Sequence, residues 1–104
     1  MKTIAFKMKL LPGFDVEYQK RHNEIWQELV VLLKEAGIKE YHIFLDKEEG
    51  NLLATMQVTN ETATGNLPAH PVMKKWWAHM RDIMETNADN SPVSIPLEEV
   101  FYLP

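Results

Sequence analysis

Apolar residues in this 104-residue chain are spaced with one period in some segments and with another in others. The order of these segments limits the possible folds. In residues 3–10, Ile4, Phe6, Met8 and Leu10 alternate with less apolar residues. A period of two predicts a half-buried strand, whereas a period near 3.6 predicts an amphipathic helix. The segments that follow alternate between these two patterns.

The first helical pattern begins after "LPGFD", in which Pro12 and Gly13 break the strand and Asp15 suits a cap or first turn. We predict one helix from there to about Ala36, with Gly37 as its stop. At about 100° per residue, its apolar face forms an arc of roughly 120°. That face comprises Phe14, Tyr18, His22, Ile25, Trp26, Leu29, Leu32, Leu33 and Ala36.

The stretch "EYHIFLDKEEGNLLATMQVT" predicts a hairpin that turns at Gly50, with Tyr41, Ile43 and Leu45 on one face of its first strand. Residues 60–71 are irregular, with one short helical turn after Asn60. A second helix follows in "VMKKWWAHMRDIM", and the alternation in "LEEVFYL" predicts a final strand.

The order strand, helix, strand, strand, helix, strand predicts a ferredoxin-like βαββαβ sandwich of the α+β class, formed by residues 1–104 as a single domain. Two helices cover only one face of a four-stranded sheet. The other face carries apolar side chains on at least two strands, so we expect a homodimer whose sheets face each other or wrap into a barrel.

Composition excludes several functions. The net charge is −4 and no basic stripe is present, which argues against nucleic acid and anionic membrane surfaces as partners. The longest apolar run, "LVVLL", is far shorter than the roughly 18 residues of a membrane span. The chain has no cysteine, which rules out disulfides and thiolate ligands and is compatible with a reducing cytoplasm.

Tyr18 and His22 are the strongest candidates for chemistry. They are four residues apart, so a helix makes them neighbours on its apolar face. A histidine can give or take a proton at neutral pH, and a phenol can orient a polar ligand. The alternative is a core histidine whose ring is satisfied by a backbone carbonyl.

The adjacent Trp76 and Trp77 cannot point the same way on a helix, so one can pack in the core while the other lines a cavity. Indole faces suit flat or weakly polar ligands, including the C–H face of a sugar ring, although aromatic residues at helical spacing more often belong to the core. Tyr41 could supply a second hydroxyl, or be an ordinary strand aromatic.

No metal or cofactor signature is present. The other three histidines, His42, His70 and His79, are predicted to be solvated and lack ligand spacing. The glycines are scattered, so there is no phosphate-binding loop. Asp89, Asn90 and Ser91 could close a site, but turn chemistry explains them equally well. The residues favour acid–base work on an uncharged, hydroxylated ligand.

Five segments, "EYQKRHNEIWQEL", "YHIFLDKEEGNLLA", "KKWWAHMRDIM", "NADNSPVS" and "LEEVFYLP", together resemble the L-rhamnose mutarotases over nearly the whole chain. The resemblance implies a dimeric α+β barrel of ferredoxin-like protomers. It also implies a cofactor-free enzyme acting on a small sugar, with His22 as the proton donor. It implies sugar-binding roles for Tyr18, Tyr41, Trp76 and Trp77. The chain departs from the family in having Gln27 and Ala88 where proline is common, and in a less regular segment at residues 60–71.

Mutarotases open and reclose a sugar ring, which needs an acid at the ring oxygen and a base at the anomeric hydroxyl. The resemblance implies that His22 is the acid, while the base stays unassigned. Two other functions suit the same fold and pocket. One is a cofactor-free monooxygenase acting on aromatic substrates, and the other is a small-ligand-binding module in which His22 is structural.

Overall fold

A computed structural model describes all of residues 1–104 and contains four strands and four α-helices. The strands are β1 (Lys2–Lys9), β2 (Ile38–Asp46), β3 (Asn51–Val58) and β4 (Ile95–Leu97). The helices are α1 (Asp15–Asn23), α2 (Gln27–Glu35), α3 (Glu61–Gly65) and α4 (Pro71–Met80), with a short 3-10 turn at Leu67–Ala69.

The four strands form one sheet in the order β2-β3-β1-β4, and every neighbouring pair is antiparallel. The two strands that follow the helical segments, β2 and β4, therefore lie at opposite edges. This is the ferredoxin-like arrangement, so the predicted α+β fold class is confirmed.

The helices pack on one face of the sheet and form the core there. Alternate residues of β3 illustrate this: Leu52, Ala54, Met56 and Val58 are buried beneath the helices. The opposite face, which we call the open face, has no covering layer in this chain. It carries partly exposed apolar side chains from three strands, namely Phe44, Leu53, Ile95 and Leu97.

The prediction of one continuous helix to Ala36 is wrong, because the chain breaks between α1 and α2. Trp26 has extended backbone angles, φ −65° and ψ 134°, and Ile25 N donates to the His22 carbonyl instead of continuing the ladder. The break is invisible in the sequence because no proline or glycine marks it and the apolar period continues beyond it. The predicted stop is correct, since Gly37 follows α2 with φ +86°.

The break also predicts the effect of proline at position 27. Gln27 is exposed and begins α2, where proline is favoured, and Trp26 already has the extended conformation that a following proline requires. Gln27→Pro should therefore stabilise the fold by about 0.4–1 kcal/mol, mainly by restricting the unfolded chain. Urea unfolding measures the change. As a contrast, Gln19→Pro inside α1 should cost about 3 kcal/mol. A loss of stability in Gln27→Pro would contradict this account of the break.

The predicted final strand at residues 97–103 is also wrong. The strand is Ile95–Leu97, which pairs with Ala5–Lys7 at the sheet edge, and the chain then leaves the sheet. The alternation of Val100 and Tyr102 against Phe101 and Leu103 remains, but nothing in this chain pairs with it. We call residues 98–104 the tail, and all of its residues are exposed.

The second long helix is shorter than predicted, ending at Met80 instead of Met84. The reason is that Ile83 and Met84 turn back towards β1: Leu11 N donates to the Ile83 carbonyl, and Met84 forms a bridge with Leu10. The short helical turn expected after Asn60 is confirmed as α3. None of the helices combines the length and apolar character that crossing a bilayer needs.

Candidate functional site

A partly open cavity of about 900 Å³ lies between the helices and the sheet. This volume is within the range of roughly 300–1,000 Å³ that is usual for ligand sites. All five predicted site residues line it, namely Tyr18, His22, Tyr41, Trp76 and Trp77. The structure therefore brings together side chains from α1, β2 and α4.

The His22 ring is held within its own helix. Its Nδ1 lies 3.0 Å from the Tyr18 carbonyl oxygen, a main-chain group four residues earlier that can only accept a hydrogen bond. Nδ1 therefore carries the proton, and in the neutral ring Nε2 carries a lone pair. The Tyr18 ring stacks on the imidazole at 4.3 Å between centroids, and the Trp76 ring meets it edge-on at 5.4 Å.

The second ring nitrogen of His22 is free. No protein group hydrogen-bonds to Nε2, yet the chain contains no fully buried side-chain nitrogen or oxygen without a partner. Nε2 therefore retains accessible surface, and His22 lines the cavity. The same reasoning applies to the Tyr18 hydroxyl and the Trp76 indole nitrogen, which have no protein partner although both residues are buried. The alternative of a core histidine satisfied by a backbone carbonyl therefore applies to Nδ1 and not to Nε2.

Burial shifts the protonation of the site. It lowers the pKa of His22 below its ordinary value, partly offset by the hydrogen bond to the Tyr18 carbonyl, so the imidazole is neutral at pH 7. Desolvation by its neighbours raises the pKa of Tyr41 to about 12, although 38% of the residue remains exposed. Burial together with the nearby Tyr41 phenol raises the pKa of Tyr18 further. Both phenols thus stay protonated and can donate hydrogen bonds.

A β-bulge directs Tyr41 into the cavity. The β2–β3 register shifts between Lys39 and His42, and Glu40 has φ 49°. The extra residue reverses the alternation, so that Tyr41, Ile43 and Leu45 lie on the helix-covered face that also holds Ile38. The predicted shared face is confirmed, and bulges of this kind commonly re-aim side chains at sites.

The two adjacent tryptophans have different environments. Trp76 is 6% exposed and packs edge-on against both His22 and Trp26, with 5.1 Å between the two indole centroids. Trp77 is only partly buried and lines the cavity without such a contact. The prediction that His79 is solvated is confirmed, since the residue is exposed, and its ring also lies 5.5 Å from Trp26 and 5.6 Å from Trp76.

Polar residues that the sequence did not single out also line the cavity. On α1, Asp15 and Gln19 fall on the same stripe as Tyr18 and His22, at a spacing that could have revealed them. Lys47 and Ser94 contribute from loops.

Both interpretations of the "NADNSPVS" loop apply. Ser91 lines the cavity, while Asp89 accepts hydrogen bonds from the Ser91 amide and hydroxyl in a turn. No group of three or more histidine, aspartate and glutamate side chains is arranged to hold a metal ion.

Comparisons with known proteins identify the family of the chain. The family model described as L-rhamnose mutarotase matches residues 3–103. The L-rhamnose mutarotase of Rhizobium meliloti is 54% identical over 99% of both chains, and that of Agrobacterium fabrum is 57% identical over 96% of this chain and 94% of the relative.

Two solved structures are similar to the whole fold. The crystal structure of an L-rhamnose mutarotase from Formosa agariphila superposes with a TM-score of 0.93 at 48% identity and covers all of both chains. A Mycobacterium tuberculosis protein superposes with a TM-score of 0.55 at 12% identity, covering 99% of this chain and 100% of that one, and shares the fold alone. By the family match and these identities, the chain belongs to the L-rhamnose mutarotase family.

Proposed function

We propose that the protein is an isomerase that interconverts the α and β anomers of L-rhamnose, with residues 1–104 acting as one catalytic unit. The observation that carries this proposal is the free Nε2 of His22, a residue that lines the cavity together with Tyr18 and Trp76, whose hydroxyl and indole N–H also lack protein partners. A neutral, hydroxylated sugar offers complementary donors and acceptors. Family membership identifies L-rhamnose among such sugars.

Proton transfer starts from a neutral imidazole. Since burial lowers the pKa of His22, Nε2 first accepts the proton of the anomeric hydroxyl. The bond from C1 to the ring oxygen then breaks, C1 becomes an aldehyde, and the imidazolium gives its proton to the ring oxygen. Both oxygens are attached to C1, so one nitrogen can serve both. In this scheme His22 is the predicted acid, and it is also the base that the sequence left unassigned.

Ring closure on the other face completes the exchange. Rotation about C1–C2 presents the opposite face of the aldehyde, and the same two transfers run in reverse, which returns His22 to the neutral state. Tyr18 and Tyr41 stay protonated throughout and donate hydrogen bonds to sugar hydroxyls. The partly exposed Trp77 provides the apolar surface for the C–H face and the 6-methyl group.

The experiment is exchange between the two anomers of L-rhamnose, followed by NMR saturation transfer with and without the protein. We expect transfer of saturation between the anomeric protons that scales with protein concentration. No exchange above the buffer rate, with a folded protein, would refute the proposed activity. Oxygen consumption with a quinol under the same conditions would instead support the monooxygenase alternative.

We further propose that the protein acts as a homodimer, and that the open face and the tail are the contact surfaces. The open face carries lysines on β1 and β2, including Lys7 and Lys39, among its apolar side chains. The tail begins with Glu98 and Glu99 and continues with four apolar residues that alternate as in a strand. A second copy therefore offers both the apolar and the charge complement.

A cytoplasmic location belongs to the same proposal, because a chain without cysteine suits a reducing compartment.

Leu53→Glu tests the dimer. This change puts a carboxylate at the centre of the open face, on β3, so the protein should sediment near the 12.1 kDa of one chain instead of twice that mass. Analytical ultracentrifugation measures the difference. The matched control is Val31→Glu, a similarly exposed apolar position on α2, which should leave the dimer intact. A wild-type protein that is monomeric at micromolar concentration would refute the dimer.

A further inference from the structure

Arg21 makes an unusual set of contacts for a residue next to the proposed catalytic histidine. Its Nη1 and Nη2 donate to the two carboxylate oxygens of Asp82 at 2.8 and 3.1 Å. Nη1 also donates to the His79 carbonyl at 2.7 Å, and Nε donates to Glu17 at 2.8 Å. Only 15% of the Arg21 side chain is exposed. The guanidinium thus connects α1 to residues 58 and 61 positions further along the chain.

These contacts join the two helices that form the site. Arg21 lies in the last turn of α1, beside His22, and His79 lies in the last turn of α4. Trp76 is three residues before His79, which places the two on neighbouring positions of α4, and their rings are 5.6 Å apart. The connection therefore bears directly on the 5.4 Å contact between His22 and Trp76.

The geometry suits positioning more than stabilisation. An ion pair with an exposed partner contributes little to folding, and the Asp82 side chain is 62% exposed. A bidentate pair nevertheless fixes the relative orientation of the two groups, because the planar guanidinium matches the carboxylate. The cation also satisfies a carbonyl at the C-terminal end of α4, where the helix dipole favours positive charge.

We propose that Arg21 and Asp82 form a clamp that sets the position of His22 relative to Trp76 and thereby the rate of anomer exchange. Arg21 does not line the cavity, so it acts through other residues and is a positioning residue. The inference rests on the proposed function for its rate measurement. Displacements of about 1 Å at a reacting group can lower a rate up to 10²-fold.

Arg21→Lys and Asp82→Asn test the clamp. Lysine keeps the charge but cannot form the bidentate pair, and asparagine keeps the shape but loses the charge. Each should lower kcat about tenfold and change KM by less than threefold, with a circular dichroism spectrum like that of the wild type. The double variant should be no slower than the slower single variant, because both remove the same interaction. Glu61→Gln, which removes the partner of Lys2 in an exposed ion pair, is the control and should not change kcat.

A second readout separates positioning from folding and needs no substrate. In Arg21→Lys, a less tightly packed His22 should become more solvated, so its pKa should rise towards the ordinary value in an NMR titration. If the wild type fails to exchange anomers, the proposed function fails while this titration still tests the clamp. An unchanged His22 pKa with kcat within twofold of wild type would overturn the inference. So would a loss of activity that only follows the folded fraction.

Discussion

Replacing His22 with alanine is expected to lower the rate of anomer exchange by roughly 10²–10⁴-fold, the usual contribution of one positioned acid–base group. The reason is that His22 is the one histidine that lines the cavity, its Nε2 has no protein partner, and both tyrosines there are held protonated. The measurement is NMR saturation transfer with L-rhamnose, on a variant shown to be folded. The matched control is Asn23→Ala, the next residue, which is exposed and does not line the cavity.

The pH dependence of the rate shows whether His22 must be neutral or protonated at the start of the reaction. A neutral His22 is required at the start, so kcat/KM should be constant near pH 7 and fall as the pH is lowered through the pKa of His22. Because burial lowers that pKa, the midpoint of the fall should lie below 6.5. A rate that instead rises on acidification below pH 6.5 would mean that the ring must start protonated. Full activity in His22→Ala would remove the histidine from the mechanism.

The second large effect is expected at Trp76. Removing this buried indole should destabilise the protein by about 3–5 kcal/mol, since the ring fills space between His22 and Trp26. Domains of this size are usually stable by only about 5–15 kcal/mol, so Trp76→Ala should lose a large part of its resistance to urea. The measurement is the midpoint of urea unfolding.

Trp77→Ala is the matched comparison, because it removes the same side chain from the adjacent position. It should cost much less stability, and its main effect should be on binding, with KM raised up to about tenfold through loss of the stacking surface. Equal destabilisation by the two changes would contradict the assignment of Trp76 as the more deeply packed ring and Trp77 as the stacking surface for the ligand.

Sequence patterning predicts the hairpin well because alternate residues of β3 are buried, and Ile43 and Leu45 of β2 are half-buried on the same face. The hairpin and its shared face at Tyr41, Ile43 and Leu45 follow from a period of two, and the bulge at Glu40 leaves this period intact after position 41. The helix break at Trp26 could not be found in the same way. Its cause is a local change of backbone angles, while the apolar positions on either side still face the core.

The tail and the ring contacts of His79 show a different limit of prediction from sequence patterning. Val100–Leu103 alternate as a strand does, but a strand also needs a neighbour, and periodicity says nothing about which chain supplies it. His79 lies on the polar side of its helix pattern and yet contacts two indoles, because Trp26 reaches it from the break between α1 and α2. Residues brought together by tertiary contacts of this kind leave no periodic signal.

The hydrogen bond from Nδ1 of His22 to the Tyr18 carbonyl has a consequence for how the protein tolerates sequence change. In many enzymes a carboxylate orients the catalytic imidazole, and its loss leaves the ring in the wrong tautomer. Here the acceptor is main chain, so exchanging side chains at position 18 cannot delete it while α1 stays helical. Substitutions at other cavity-lining residues can therefore change the shape of the cavity while the proton of the neutral His22 ring stays on Nδ1.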